Sequence, residues 1–540
     1  MNEIVKKILY LRGIEKESDI EEFLSDKPRL TYNPELLPDI DEGTNLILEE
    51  TAKGSRILIY GDYDADGITS TALMYTVLSE LTDKKNLSYY IPSRFDEGYG
   101  LNKEAVKNFK EQGIDFIITV DCGSVSYDEV ELAKELGIKI LVTDHHNITD
   151  KMASCLVINP KRSDSNYPFK ELSGCGVAFK VCQMLSKKAN LRRSLITEVL
   201  DLVLIGTVGD IMPLIDENRT FVKYGLRVIN NGKRKGLNSL IERIGLVKGK
   251  ITSENVGYAI VPHLNASGRI YSASQAVELM LTEDDERIEE IVTDLIKKNR
   301  ERKEFQEVAY ERAVEIIGND IKRFNIIRLD GYHEGILGIV AGKLKDTVKR
   351  PVVIVSPVKD ENRLLKGTGR SIETVDIYEC LKKYENLFLK FGGHKGACGF
   401  TIEEDKLEEL RNSINNDMLS YSDETFESKM EYDLEISASD LTYTLAKDLK
   451  LLEPFGKNNK KPKFKVALKP VKEVTYMGKE KNHMKFGFYD VQFVLFNKAL
   501  KYDANELRTK EFSVIGCFDY QVFRGSINLQ FIVDEISING

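Results

Sequence analysis

Apolar residues recur along the chain in two rhythms. Residues 1–50 carry short amphipathic pieces that predict a lead-in layer of helices. From residue 56 the pattern changes to continuous apolar runs separated by helix-period segments. Arg56–Tyr60 (RILIY) reads as a buried strand ending at Gly61–Gly67 (GDYDADG), and Ile68–Leu81 follows with helical spacing. Phe116–Val120 runs into Asp121-Cys122-Gly123, and Lys139–Thr143 into Asp144-His145-His146. Buried runs alternating with helical segments predict a parallel α/β sheet. Periodicity alone does not separate strand from buried helix over Leu195–Val208; helix is the expectation. Residues 281–317 are highly charged and free of Gly and Pro, the pattern of a long helix bridging two domains. Asn325–Arg328 and Pro351–Val355 restart a smaller α/β unit to about residue 424. From about 430 short alternating runs (Phe464–Leu468, Val491–Phe496, Phe512–Cys517, Ile527–Val533) predict a small β-barrel.

Composition narrows the class. The chain has 540 residues, enough for several domains, and its 77 Lys+Arg against 86 Asp+Glu leave a net charge of -9. That balance gives no global pull toward nucleic acid or an anionic membrane, so any polyanion must be held by a local patch. Seven scattered cysteines without a C-x-x-C pair fit a reduced cytosol better than a disulfide framework. With neither a signal-like N-terminus nor an apolar run long enough to span a bilayer, a cytoplasmic protein is expected.

Three acidic loops sit just after three predicted parallel strands, the edge where open α/β sheets bind ligands. They offer Asp62, Asp64 and Asp66, then Asp121, then Asp144, His145 and His146, and Asp210 lies on a later segment able to reach the same edge. A single D-x-D in a Gly-rich turn is more often turn chemistry, and a lone Asp after a strand is usually a helix cap. Three such loops together are different. Carboxylates brought that close repel unless a cation lies between them, and an oxygen-rich set with one imidazole suits Mn²⁺ or Mg²⁺.

Gly61–Gly67, Val120–Gly123, Asp144–His146 and Gly206–Asp210 (GTVGD) resemble the four ordered motifs of the DHH phosphoesterases. Within that superfamily the chain resembles the RecJ family of single-strand-specific 5′→3′ DNA exonucleases. Supporting segments are Arg94–Leu101, Asn265–Arg269, His333–Ala341, Gly367–Ser371 and Gly392–Gly399. The resemblance implies two ions held by Asp64, Asp66, Asp121, His145 and Asp210, with Asp121 bridging. His146 is placed to contact the scissile phosphate, Asp144 to orient an imidazole, and Asp62 either to support the ligands or to form the turn. The implied domains are a lead-in (1–50), a parallel-sheet DHH domain (51–280), a connecting helix (281–320), a smaller α/β DHHA1 domain (321–424) and an OB-like β-barrel (425–540).

Phosphate donors are expected from glycine-containing segments, where the backbone can approach closely. They are Arg94, Asn265, Arg269, Arg370, Ser371, Gly393 and His394, with the two DHHA1 segments catching a 5′-terminal phosphate. The tail supplies a basic patch, ten Lys between Lys457 and Lys485, with Phe464, Tyr476, His483, Phe486 and Phe488 interleaved. Charge plus aromatics on a small barrel is the pattern of an OB-fold holding single strands.

The expectation is therefore a two-metal (Mn²⁺ or Mg²⁺) exonuclease taking mononucleotides from the 5′ end of single-stranded DNA in repair and recombination. A narrow passage between the DHH and DHHA1 domains would exclude duplex. It is expected to act as a monomer, with a single-strand-binding protein and a helicase as partners. The rivals are a phosphodiesterase for short oligoribonucleotides or cyclic dinucleotides and a non-catalytic DNA-binding scaffold. The first has no need of the tail; the second predicts eroded acidic motifs.

Overall fold

The computed structural model describes all residues except 94–96, 99, 149–150, 271–272, 359–360, 428–430, 524 and 539–540, and the side chains of Arg269, Ile270, Asn362 and Phe523. The chain forms two compact units: Met1–Leu264 with Ser272–Val292 and Met430–Gly540, and Asn265–Tyr271 with Thr293–Lys429.

The first unit is built on a parallel sheet in the order β2-β1-β3-β4-β5, with β1 Ile57–Tyr60, β2 Leu87–Tyr90, β3 Phe116–Val120, β4 Lys139–Thr143 and β5 Leu156–Ile158. Strands β1 and β3 are buried along their whole length, as unbroken apolar runs require when helices cover both faces. The register pairs Tyr60 with Thr119, Val120 with Thr143 and Thr143 with Ile158. The three acidic loops therefore leave neighbouring strands at one edge. The helix after β1 spans Ala65–Leu78, three residues earlier than the spacing predicts, because the Asp64 carboxylate accepts from Asp66 N–H (2.9 Å) and Gly67 N–H (3.2 Å). The apolar 195–208 stretch is helical over Leu200–Gly209, buried from Leu200 to Thr207.

The C-terminal part of this unit is a seven-stranded mixed sheet, β11-β12-β16-β17-β15-β14-β13. Its strands are β11 Leu434–Ile436, β12 Phe464–Leu468, β13 Val474–Met477, β14 His483–Phe488, β15 Val491–Leu495, β16 Phe512–Phe523 and β17 Ser526–Ile538. Its core is shared with the N-terminus, since Val5, Ile8, Leu9 and Ile20 pack with Phe464, Phe493, Phe512 and Phe531. The buried Arg219 fastens this joint. It stacks on Phe23 (3.7 Å to the ring centre) and donates to the carbonyls of Phe23, Leu452 and Glu453.

The second unit carries the sheet β6-β7-β8-β10-β9, with β6 Asn325–Arg328, β7 Val352–Val358, β8 Glu361–Arg370, β9 Phe388–His394 and β10 Ala397–Glu403. Only β6 and β7 are parallel. The charged helix spans Asp285–Ile317, starting four residues later than predicted because the Asp284 side chain caps the amides of Glu286 and Arg287. Within this unit its Ala309, Ala313 and Ile317 pack with Ile327, Leu337 and Val340.

Candidate metal centre

The acids meet at the carboxyl ends of β1, β3 and β4. Ligand atoms of Asp62, Asp64 and Asp121 lie within 4.8 Å of one another, as do those of Asp66, His145 and Asp210, and those of Asp121, His145 and His146. His145 is the hub. Its Nε2 lies 3.1 Å from Asp121 Oδ1, 3.5 Å from Asp210 Oδ2 and 3.8 Å from Asp66 Oδ2, without hydrogen-bond geometry to any of them.

Local backbone features aim these groups. Asp121 sits at φ 63°, tied to β4 by its amide donating to Thr143 O (3.0 Å). The Asp66 carboxylate is fixed by amides of the helix Gly174–Lys188, accepting from Gly174 N–H (2.6 Å) and Cys175 N–H (2.9 Å). Two glycines make room for the acids. A Cβ on Gly174 would stand 2.3 Å from Asp121 Oδ1, and one on Gly206 2.4 Å from Asp66 Oδ1. Asp64 serves as a helix cap and also as a member of the cluster.

Electrostatics separate two kinds of group. Burial and then neighbouring carboxylates push Asp66 and Asp121 well above the ordinary carboxyl range; burial and Asp64 push Asp210 up to about 6. Burial and the adjacent His146 cation push His145 down to about 3, so its ring is neutral and a lone pair is available. Burial alone would lower His146, but its Nδ1 sits 2.8 Å from Asp144 Oδ1 and that carboxylate raises it to about 9. Asp144 is held below its usual range against its own burial, chiefly by His146, and accepts from Ser124 N–H (2.9 Å). The imidazole that Asp144 orients is thus that of His146.

This donor set fits divalent cations. Several carboxylates and a neutral imidazole converge at van der Waals distance, and their mutual repulsion is the term a hard cation removes. The sequence reading undervalued Asp62, which shares a ligand group with Asp64 and Asp121. It missed Lys161 and counted Lys457 only as part of the basic tail; both lie close enough for their charge to oppose the rise at Asp210. Lys161 is held through Asn159, which accepts from Lys161 N–H (2.8 Å) and donates to His146 O (2.9 Å). Lys457 O accepts from Leu214 N–H (2.9 Å), four residues after Asp210.

The expected phosphate donors fare variously. Arg94 and the side chain of Arg269 lie outside the described residues. Asn265 lies half-buried on the helix Val261–Ile270. In the second unit, Arg370, Ala397 and His394 stand side by side across β8, β10 and β9. Ser371 is buried there, its hydroxyl donating to Val375 O (2.7 Å), and Gly393 has φ 149°. The first glycine segment is the end of β8, and the second is the β9–β10 hairpin with its turn at Lys395-Gly396. A Cβ on Gly367 would meet the Phe400 ring at 2.4 Å, so packing by itself demands glycine there.

In the basic tail, Lys461, Lys463 and Lys465 are paired with Asp519, Asp534 and Glu435. Phe464 and Phe486 are core residues and not a stacking surface, because strand alternation turns them inward with Val466 and Met484. Tyr489, between β14 and β15, and Phe496, just after β15, are exposed aromatics beside this sheet.

Comparison with known proteins agrees with this geometry. Residues 56–207 match the DHH family, N-terminal domain, residues 322–419 the DHHA1 domain and residues 432–535 the RecJ OB domain. The single-stranded-DNA-specific exonuclease RecJ of Bacillus subtilis (strain 168) is 35% identical over 487 residues, 89% of this chain; the chain spans 61% of that relative's length. The protein of the same name from Haemophilus influenzae is 32% identical over 531 residues, 93% of this chain and 91% of its own. The crystal structure of RecJ in complex with Mn²⁺ from Thermus thermophilus aligns with a TM-score of 0.85 at 26% identity, covering 99% of this chain and 76% of that one. With the acidic strand-end cluster in place and identity above 30% along nine tenths of a relative, the chain belongs to the RecJ family of DHH phosphoesterases.

Proposed function

We propose that the protein is a metal-dependent exonuclease that removes mononucleotides from the 5′ end of single-stranded DNA. The observation that carries the reading is the convergence of Asp62, Asp64, Asp66, Asp121, His145 and Asp210 at one sheet edge. On this reading Asp64, Asp66, Asp121, His145 and Asp210 hold two ions, Mn²⁺ or Mg²⁺, and Asp62 joins them. When bound, the ions polarise the phosphate and generate a nucleophile from water at neutral pH. The chain's own residues do the rest. His146, kept cationic by Asp144, offers a donor to the phosphate, and Lys161 and Lys457 draw the polyanion toward an otherwise acidic edge.

In the second unit Arg370, Ser371, Gly393 and His394 would receive the 5′-terminal phosphate, with Arg94, Asn265 and Arg269 contacting the strand. Residues 51–280 and 321–424 form the DHH and DHHA1 domains, joined by the helix of 281–320, and 425–540 the nucleic-acid-binding domain. We further infer a cytoplasmic monomer working beside a single-strand-binding protein and a helicase, in repair and recombination; among the described residues no helix is long and apolar enough to cross a membrane. Intact acidic motifs disfavour a scaffold, and the large C-terminal sheet disfavours a small-substrate phosphodiesterase.

The test is a single-stranded oligonucleotide labelled at either end and incubated with Mn²⁺ or Mg²⁺. Immediate mononucleotide release from a 5′ label, with the blunt duplex intact, is expected. Release from the 3′ label first, or cleavage confined to very short RNA, would overturn the reading.

A further inference from the structure

The helix that delivers Asp210 stops in an unusual way. Ile211 N–H donates to Val208 O (3.2 Å) and Met212 N–H to Thr207 O (3.0 Å), with Ile211 at φ 54°. This is the Schellman stop, and Ile211 occupies the left-handed position that glycine, sometimes asparagine, ordinarily fills. Among the described non-glycine residues at positive φ it is the one β-branched residue, the type this backbone region suits least. Burial does not compensate for the strain. Ile211 is 67% exposed, whereas Met212 and Leu214 just beyond it are 5% and 2% exposed. The stop itself sits tight against the acidic edge, since a Cβ on Gly209 would lie 3.0 Å from Ala65 Cβ, between Asp64 and Asp66. The turn Val256–Ile260, which packs near Val208 through Gly257, carries Tyr258 at 87% exposure.

A helix stop alone would be served better by glycine, and solubility by asparagine. An aliphatic side chain in this conformation gains only if something apolar covers it. Ile211 directly follows Asp210, so their Cα atoms stand about 3.8 Å apart, and the Asp210 carboxylate belongs to the acidic cluster. We propose that Ile211 is a substrate-contact residue, an apolar floor for the base of the nucleotide whose phosphate lies at the acidic centre. The inference rests on the nuclease reading and deepens it. Every base has an apolar face, so such a contact holds DNA without reading sequence.

The test compares wild type with Ile211→Gly, which keeps the stop and removes the side chain, and Ile211→Val, which keeps most of the contact. Substrates are 5′-labelled single strands whose terminal nucleotides either carry bases or are abasic. Ile211→Gly should raise KM roughly five- to tenfold on base-bearing ends, as expected for losing part of an aliphatic contact, with kcat little changed. On abasic ends its KM should equal that of wild type. Its Tm should rise by roughly 2 °C as the backbone strain is relieved, while Ile211→Val should retain the wild-type KM. Wild-type KM for Ile211→Gly on both substrates, or an equal loss on both, would overturn the proposal, the second because it reports a disturbed Asp210 instead. If wild type released no nucleotide at all, the nuclease reading would fall. Anisotropy with hydrolysis-resistant oligonucleotides in Mn²⁺ would then decide: a base-dependent affinity loss in Ile211→Gly supports the contact, and its absence ends it.

Discussion

Two buried charged clusters of the first unit are built on opposite plans. In one, Lys180 and Glu217 are fully buried and paired with each other. Glu217 also accepts from Thr31 Oγ (2.7 Å), Tyr32 N–H (2.9 Å) and Tyr167 Oη (2.6 Å), and Lys180 donates to Tyr32 O (2.8 Å). One cation meets one anion and the remaining hydrogen-bonding capacity is filled from the chain. In the other, carboxylates gather around a neutral imidazole and raise one another's affinity for protons. The first cluster is complete within the polypeptide and anchors the segment around Thr31 to the helix Asp216–Asn231. The second is completed from solvent. A buried charged cluster thus shows by its internal balance whether it serves the fold or a ligand.

Neutralising Asp121 should produce the largest effect. Asp121→Asn should cut exonuclease activity by about 10³-fold or more, since a lost ion forfeits several kcal/mol of transition-state stabilisation. In chelator the same variant should melt no lower than wild type, because one of the mutually repelling carboxylates is gone. Lys180→Met should do the reverse. Stranding Glu217 costs about 3–5 kcal/mol of stability, while turnover per folded molecule is unchanged. Lys180→Met/Glu217→Gln should recover part of that loss. A Lys180 variant that melts normally but turns over poorly would erase the distinction between the clusters.

The same contrast has a pH signature. Asp210 ionises near 6 when folded against an ordinary value near 3.8, so between those limits the folded protein holds more protons than the unfolded one. Stability in chelator should therefore fall as pH rises from about 4 to about 6, and Asp210→Asn should flatten the fall. With Mn²⁺ present the ions replace those protons, and the metal-dependent gain in Tm should grow across the same interval. Thermal melts with and without chelator read both trends. A chelator-treated protein that gains stability through this window, with no difference in Asp210→Asn, would contradict the raised acid.

Much of the second cluster was legible because its parts are local. A buried parallel strand is an unbroken apolar run, and an acid placed at its end is conspicuous, so β1, β3 and β4 and their loops could be read directly. Strands β2 (LSYY) and β5 (LVI) are short edge strands whose patterns do not stand out. What escaped the sequence was tertiary. The Gly174 and Cys175 amides reach Asp66 from more than a hundred residues away, and no local rule pairs them. Nothing in the local sequence marks Arg219 as buried, yet it joins the N-terminus to the C-terminal sheet. The tail lysines and phenylalanines were counted together although strand alternation sends them to opposite faces.

The smallest predicted effect concerns how, on the nuclease reading, a unit with so acidic an edge would attract DNA at all. Lys161 and Lys457 enter from segments far apart in sequence, each pinned by its backbone and, among the described residues, without an ion pair of its own: Lys161 N–H to Asn159, Lys457 O from Leu214. Both oppose the rise in the proton affinity of Asp210, which places their charge where a phosphate would arrive. A phosphate contact releases about 0.7 counterion on a single strand. Lys161→Gln and Lys457→Gln should therefore each lower the salt slope of log K by about 0.7. Each should weaken single-strand binding only severalfold at moderate salt, the double variant should show the sum, and kcat at saturating DNA should hold. The Lys180 cluster supplies the control, since Lys180 is sealed from solvent and its replacement should leave the slope untouched. An unchanged slope in both glutamine variants would mean that these two lysines only hold down the proton affinity of Asp210 without touching DNA.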